Sequence, residues 1–344
     1  MLQLRERKRG RIMWNNIQSF KDDFMFALET KLDPGYMVIT NKVAKLNNVM
    51  KTGISLQNPA FPSNTIPTIY LEDLYESYGN ENINIDSLAS QLYEQMVHAP
   101  NTDSVSEILN PEFVKEHVQI KVISSEMNGD FLRDKPCIPV NGFDDLVAIA
   151  VVKLDSEDFR NSFGSEHSGS ITVTDGLMLN LSIRKSELFE CALRNSEQNN
   201  PASLRSMREV MIEMMFPDGK PEDDPMVDMF LPPEGDEAMM YVLTNRTAMF
   251  GASTIMYSGI MDEVYNKVGS DFVIIPSSLH EVLIVKDADL MSNNEILNMV
   301  SQINEGVVAD CDILSNNIYR YSGADKCVTT IRASGAESDL SAEL

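Results

Sequence analysis

Six consecutive positions hold the residue types from which a nucleophile could be built: Pro276-Ser277-Ser278-Leu279-His280-Glu281. An imidazole beside a serine hydroxyl can take its proton, and a third polar group can orient the ring. Ser277, Ser278 and His280 are therefore the candidate catalytic residues of a hydrolase, with Asn245 and Glu281 as candidate binding residues of one cleft. The competing reading is conformational. A proline followed by serines makes a tight turn whose hydroxyls bond the local backbone, and His280 then packs beside Val282 and Ile284. No GxSxG elbow is present. The turn is the stronger reading, because a triad depends on distant residues meeting in space.

Other chemistries have less support. There is no GxxxxGK[ST] and no GxGxxG; the nearest approach, Gly164 to Gly169, has no lysine and reads as a turn before a strand. His280-Glu281 matches the start of HExxH, but Ile284 stands where the second histidine belongs. In a strand the two side chains would also point to opposite faces. His98, His117 and His167 are scattered, and Cys137, Cys191, Cys311 and Cys327 form no CxxC pair. No metal site and no cofactor are expected, and the cysteines read as free thiols of a reducing cytosol. In a chain with 52 acids, Asp22-Asp23, Asp144-Asp145 and Asp223-Asp224 read as solvated faces or helix starts. The 21 methionines, many between Met207 and Met261, suit either an adaptable surface or, more commonly, a core. Tyr70, Tyr75 and Tyr78 read as half-buried packing.

These residues must be positioned by elements legible in the apolar pattern. Phe20, Phe24, Ala27, Leu28 and Leu32 predict a helix over 17–32, ended by Asp33-Pro34-Gly35. Strands follow at 36–46 and 53–56 around Asn47-Asn48, then a short strand turning helical at 68–78, and a helix capped by Asp86. After a polar linker, Val118 to Ile123 reads as a strand, and the apolar run Leu146 to Leu154 as a central strand buried on both faces. Residues 171–173 and 177–183 read as strands, 186–195 and 204–215 as helices. Met239 to Leu243 reads as a strand, 253–268 as an amphipathic helix, and 272–275 with 279–285 as strands flanking the serine corner. Ser292 with Glu295 predicts a capping box, and Ile318 to Tyr321 is a last strand. Hairpins imply antiparallel pairing, so the fold class is α+β, with small antiparallel or mixed sheets.

The expected organisation is a disordered basic extension (1–16, with Met13 as an alternative start), an N-terminal α+β region (17–100) and a middle α+β region (112–216). An acidic proline-rich connector (217–237), a C-terminal α+β region (238–325) and a flexible acidic tail (326–344) follow. The extension has basic charge but no apolar core behind it, so it does not read as a secretory signal. No apolar run approaches the roughly 20 residues of a membrane helix. With 28 basic against 52 acidic residues, the net charge is −24. Phosphate binding needs a basic face, so neither nucleic acid nor an anionic membrane is an expected partner.

Several stretches taken together carry a resemblance. They are Lys45-Leu46-Asn47-Asn48 leading to Gly53-Ile54, Pro67-Thr68-Ile69-Tyr70-Leu71-Glu72, Leu243-Thr244-Asn245-Arg246 leading to Gly251-Ala252, the Pro-Ser-Ser-x-His-Glu stretch, and Leu314-Ser315 leading to Tyr319. The chain resembles, from about residue 17 to 325, a family of bacterial proteins common in Gram-positive gut anaerobes whose domain has no assigned function. Val49 stands where that family has glycine, and Cys137 where it has histidine. The resemblance implies a bacterial, cytoplasmic protein and supplies no activity. The leading expectation is a non-enzymatic interaction or regulatory protein with a basic protein partner. The alternatives are the hydrolase just described and an acidic mimic of nucleic acid.

Overall fold

The structure is a computed structural model, and it describes residues 16–59, 68–78, 84–97, 108–154, 169–216, 231–233, 239–287 and 292–333. The basic extension up to residue 15, most of the 217–237 connector, and His98 and His167 lie outside the described residues. The chain divides into two compact units, the second containing Leu46–Asn48, Ile108–Lys153 and Ser170 onward.

In the first unit, α1 (Ile17–Glu29) starts at Asn16, whose side chain accepts from the Ser19 N–H at 2.9 Å. Its buried residues Phe20, Phe24, Ala27 and Leu28 recur at helical spacing and form one apolar stripe. Strands β1 (Met37–Ala44), β2 (Met50–Gln57) and β3 (Thr68–Tyr70) form an antiparallel sheet in that order. Helices α2 (Leu71–Tyr78) and α3 (Ile85–Val97) complete a core with Ile54, Leu71, Leu74, Leu88 and Tyr93. The cap of α3 is Asn84 rather than Asp86: its side chain accepts from the N–H groups of Asp86 and Ser87. Asp86 sits inside the first turn, where its charge suits the helix dipole.

The second unit holds two sheets. After α4 (Pro111–His117), strand β6 (Phe143–Leu154) pairs with β4 (Val118–Ser124), β5 (Cys137–Val140) and β7 (Gly169–Thr172). It is the central strand the apolar run predicted, with Leu146, Ala148, Ile149, Ala150, Val151 and Val152 all buried. The larger sheet has the order β13-β12-β10-β11-β9-β8. Its strands are β8 (Ala202–Ser206), β9 (Met240–Asn245), β10 (Phe272–Ser278), β11 (Glu281–Lys286), β12 (Ile318–Ser322) and β13 (Cys327–Ile331). Along β10 the two-residue period divides the side chains: Phe272 and Ile274 enter the main core, while Val273 and Ile275 pack with Ile296, Leu297 and Val300. Those last three belong to α9 (Asn293–Gly306), which begins with the expected Ser292–Glu295 capping box.

Helices α5 (Asp175–Asn180), α6 (Lys185–Asn199), α7 (Met207–Met215) and α8 (Ile260–Val268) complete the unit. Four expectations change. Residues 177–183 are helical in their first part, because Thr174 caps α5 by accepting from the Leu177 N–H. The helix expected over 204–215 begins only at Met207, because a Ser206–Glu209 capping box fixes its start there and leaves 202–206 to pair with β9. That pairing also places strands from both sides of the 217–237 connector in one sheet and one unit. The helix expected over 253–268 is split: a 3-10 turn covers Gly251–Met256, and Gly259, at φ 72°, precedes α8. The tail expected to fray from 326 instead forms β13 as far as Ile331, since Val328 and Ile331 face a core.

Candidate functional site

Ser277, Ser278, His280 and Glu281 lie in the second unit at the corner where β10 turns into β11, and Asn245 lies in the same unit at the end of β9. Strand β12 pairs with β10 only from Phe272 to Ile274, so Pro276 forfeits no ladder bond on that side. A register shift between Pro276 and Ser278 marks a bulge, which tightens the turn. Three neighbouring backbone and side-chain groups clamp it. The Leu279 N–H donates to the Asp312 carbonyl at 2.8 Å, the Leu279 carbonyl accepts from the Ala252 N–H at 3.3 Å, and Thr244 Oγ1 donates to the His280 carbonyl at 2.7 Å.

The serine hydroxyls are engaged within the turn. Ser278 Oγ accepts from the His280 backbone N–H at 3.0 Å, and Ser277 Oγ donates to Glu281 Oε1 at 3.3 Å. The imidazole turns to other neighbours. His280 Nδ1 accepts from the Phe250 backbone N–H at 3.3 Å, which puts the proton of the neutral ring on Nε2. Nε2 stands 3.8 Å from Asp312 Oδ1. That imidazole holds the Asp312 carboxyl below its ordinary range, against a burial that pushes the other way. The Phe250 ring lies nearly parallel to the imidazole, with centroids 5.8 Å apart, and Lys121 Nζ sits 3.9 Å from the Phe250 centroid.

Asn245 does not join the serines. It is buried, and it shapes the loop that carries Phe250: its Oδ1 accepts from the N–H groups of Thr247 and Met249, and its Nδ2 donates to the Met249 carbonyl. Within this loop Ala248 (φ 50°) and Phe250 (φ 54°) take left-handed conformations that side chains other than glycine or asparagine rarely adopt. Gly251 leaves no room for a methyl group, since a Cβ there would lie 2.1 Å from Thr244 Oγ1 and 2.3 Å from the His280 carbonyl oxygen. Sequence reasoning found Asn245 and Gly251 as parts of one motif. It missed Phe250, Lys121 and Asp312, which arrive from other elements with no local signal.

A second polar cluster lies in the same unit. Asp145, expected on a solvated face, is only 2% exposed. Its carboxylate accepts from Ser315 Oγ at 2.5 Å and from the Tyr319 hydroxyl at 3.0 Å. Two hydroxyl donors satisfy a charge that burial would otherwise penalise. Burial and the Asp145 charge both raise the Tyr319 phenol well above its ordinary pKa, so it stays a donor. Asn47 is likewise held: its N–H donates to Asn128 Oδ1, and its amide donates to the carbonyls of Asp310 and Ile313. Only Asn47 and Asn48 take positive φ in that turn, which explains why valine is tolerated at 49.

Among the described residues no three His, Cys, Asp or Glu side chains are grouped to hold a metal ion, and no helix is long and apolar enough to cross a membrane. The sequence model of a family described as of unknown function, DUF5688, matches residues 17–323. No curated protein and no solved structure matches the chain.

Proposed function

The chain belongs to the DUF5688 family, and from that premise we propose that it is a non-enzymatic cytoplasmic interaction or regulatory protein whose partner presents a basic face. One observation carries the reading: the polar side chains at the serine corner spend their hydrogen bonds on their own chain. Ser278 is bonded to backbone, Ser277 to Glu281, and the imidazole Nδ1 to the Phe250 N–H. A base that already accepts a backbone proton at one nitrogen and faces a carboxylate with the other is not placed to activate either serine. The charge of −24 supports the partner's sign, because it attracts cationic surfaces and repels acidic ones.

The hydrolase reading keeps one supporting observation, the 3.8 Å approach of His280 to Asp312, which supplies the orienting half of a triad. Two measurements separate the readings. Association with basic partners should weaken steeply with added salt and survive the double change Ser277→Ala with Ser278→Ala. Covalent labelling of Ser277 or Ser278 by a fluorophosphonate probe, lost on His280→Gln, would instead establish the enzyme.

A further inference from the structure

The loop over 246–250 holds a strained shape, and one of the bonds that hold it depends on the protonation of a ring. Ala248 (φ 50°) and Phe250 (φ 54°) both take left-handed backbone conformations, which cost energy for any residue with a Cβ. Asn245 offsets part of that cost. Its side-chain oxygen accepts from the Thr247 and Met249 N–H groups, and its carbonyl accepts from the Ala248 N–H. The Phe250 N–H goes elsewhere, to His280 Nδ1 at 3.3 Å. Nδ1 can accept that bond only while it carries no proton.

A second proton on the ring acts oppositely at its two nitrogens. An imidazolium has an N–H group on each, so Nδ1 then sets a donor against the Phe250 N–H and the bond is lost. Nε2 stands 3.8 Å from Asp312 Oδ1, and a positive ring is drawn to that carboxylate more strongly than a neutral one. The charged attraction outweighs a long neutral hydrogen bond, so the ring stays with Asp312 and the Phe250 backbone is released. The remaining charges around the ring do not reverse this. Lys121 from β4, 3.9 Å from the Phe250 centroid, opposes a second cation. Glu281, next along β11, has its carboxylate engaged by Ser277, and Arg246 in the loop donates to the Asn199 carbonyl. The turn Gly251–Met256 adds no charged residue. The His280 side chain is 37% exposed, so protons reach it from solvent.

We propose that His280 is a pH-operated latch: neutral, its ring fixes the loop over 246–250, and protonated, it lets the Phe250 backbone leave its left-handed conformation. Arg246, Thr247 and Ala248 are exposed, so the latch changes the shape of a face open to a partner. The device goes beyond the basic-partner reading and does not depend on it.

The test follows individual groups in the isotope-labelled full chain by nuclear magnetic resonance, from about pH 8 to about pH 5, where histidine side chains titrate. Ring carbon shifts report the protonation of His280 itself. Amide exchange, divided by the rate of an unstructured peptide at the same pH, reports each backbone bond. The Phe250 amide should lose about tenfold in protection in step with the ring, roughly what one neutral hydrogen bond supplies. The Thr247 and Met249 amides, bonded to an oxygen that does not titrate, should keep theirs. In His280→Gln the protection of Phe250 should no longer depend on pH, whether or not the glutamine oxygen reaches the amide. Phe250 protection that stays level while the ring titrates would overturn the latch. So would a fall shared equally by all three amides, or a fall that persists in His280→Gln.

Discussion

His280 sits where three separate segments meet. Its carbonyl accepts from Thr244, its ring accepts from Phe250, and its neighbour Leu279 is bonded to Asp312. The corner is thus held by groups that a sequence reader sees only as isolated polar residues. Gly251 is the tightest point, because its missing side chain admits both Thr244 Oγ1 and the His280 carbonyl. Gly251→Ala should therefore destabilise the protein by about 1–3 kcal/mol, read as a lowered midpoint in denaturant unfolding. An unchanged midpoint would mean the loop can move aside. The buried Asp145 makes a sharper case. Tyr319→Phe removes one of its two hydroxyl donors and leaves a charge under-satisfied, at a cost of about 1–3 kcal/mol. Ser315→Ala should act similarly, and the double variant should cost less than the sum of the two, since both act on one carboxylate.

At the scale of elements, two helices begin with the same device. Ser206 with Glu209 starts α7, and Ser292 with Glu295 starts α9, each with reciprocal side-chain bonds to backbone N–H groups. Ser206→Ala and Ser292→Ala should each cost about 1 kcal/mol. The local helix should fray first, visible as faster amide exchange in its first turn. The second box was legible from its spacing, whereas the first was obscured by the apolar residues ahead of it. Leu204 continues a helical pattern on paper but pairs with Leu243 in the sheet. The central strand β6 was legible because an unbroken apolar run rich in valine and isoleucine has few other homes. Asp145, inside that strand, was not. Its partners Ser315 and Tyr319 lie 170 and 174 residues away, and nothing local distinguishes it from its neighbour Asp144. For the same reason the serine corner was legible as a turn, while Phe250, Lys121 and Asp312 around it were not.

For the whole molecule, charge sets how stability responds to salt and acid. At neutral pH a net charge of −24 repels itself, and salt screens that repulsion. The melting temperature should therefore rise as salt is added; a fall would mean that the surface ion pairs outweigh the net repulsion. Acid acts in two opposed ways. Carboxylates in ordinary surroundings protonate near their usual values and relieve repulsion. Asp312, Glu72, Glu209 and Glu295 are held below those values. The cause is the His280 imidazole for Asp312, and backbone and hydroxyl donors of Ser206 and Ser292 for Glu209 and Glu295. For Glu72, burial opposes the shift, and the Thr52 N–H and hydroxyl outweigh it. A group whose folded pKa is depressed stabilises the fold fully above its unfolded value, and that contribution disappears as pH falls through the folded one. Their unfolded values are 3.8 for Asp312 and 4.5 for the three glutamates. Stability should hold down to that range and decline below it. Asp312→Asn should flatten the acid limb of a plot of melting temperature against pH, because one depressed carboxylate no longer titrates. An acid limb of unchanged steepness in that variant would show that the His280–Asp312 approach contributes nothing to folding.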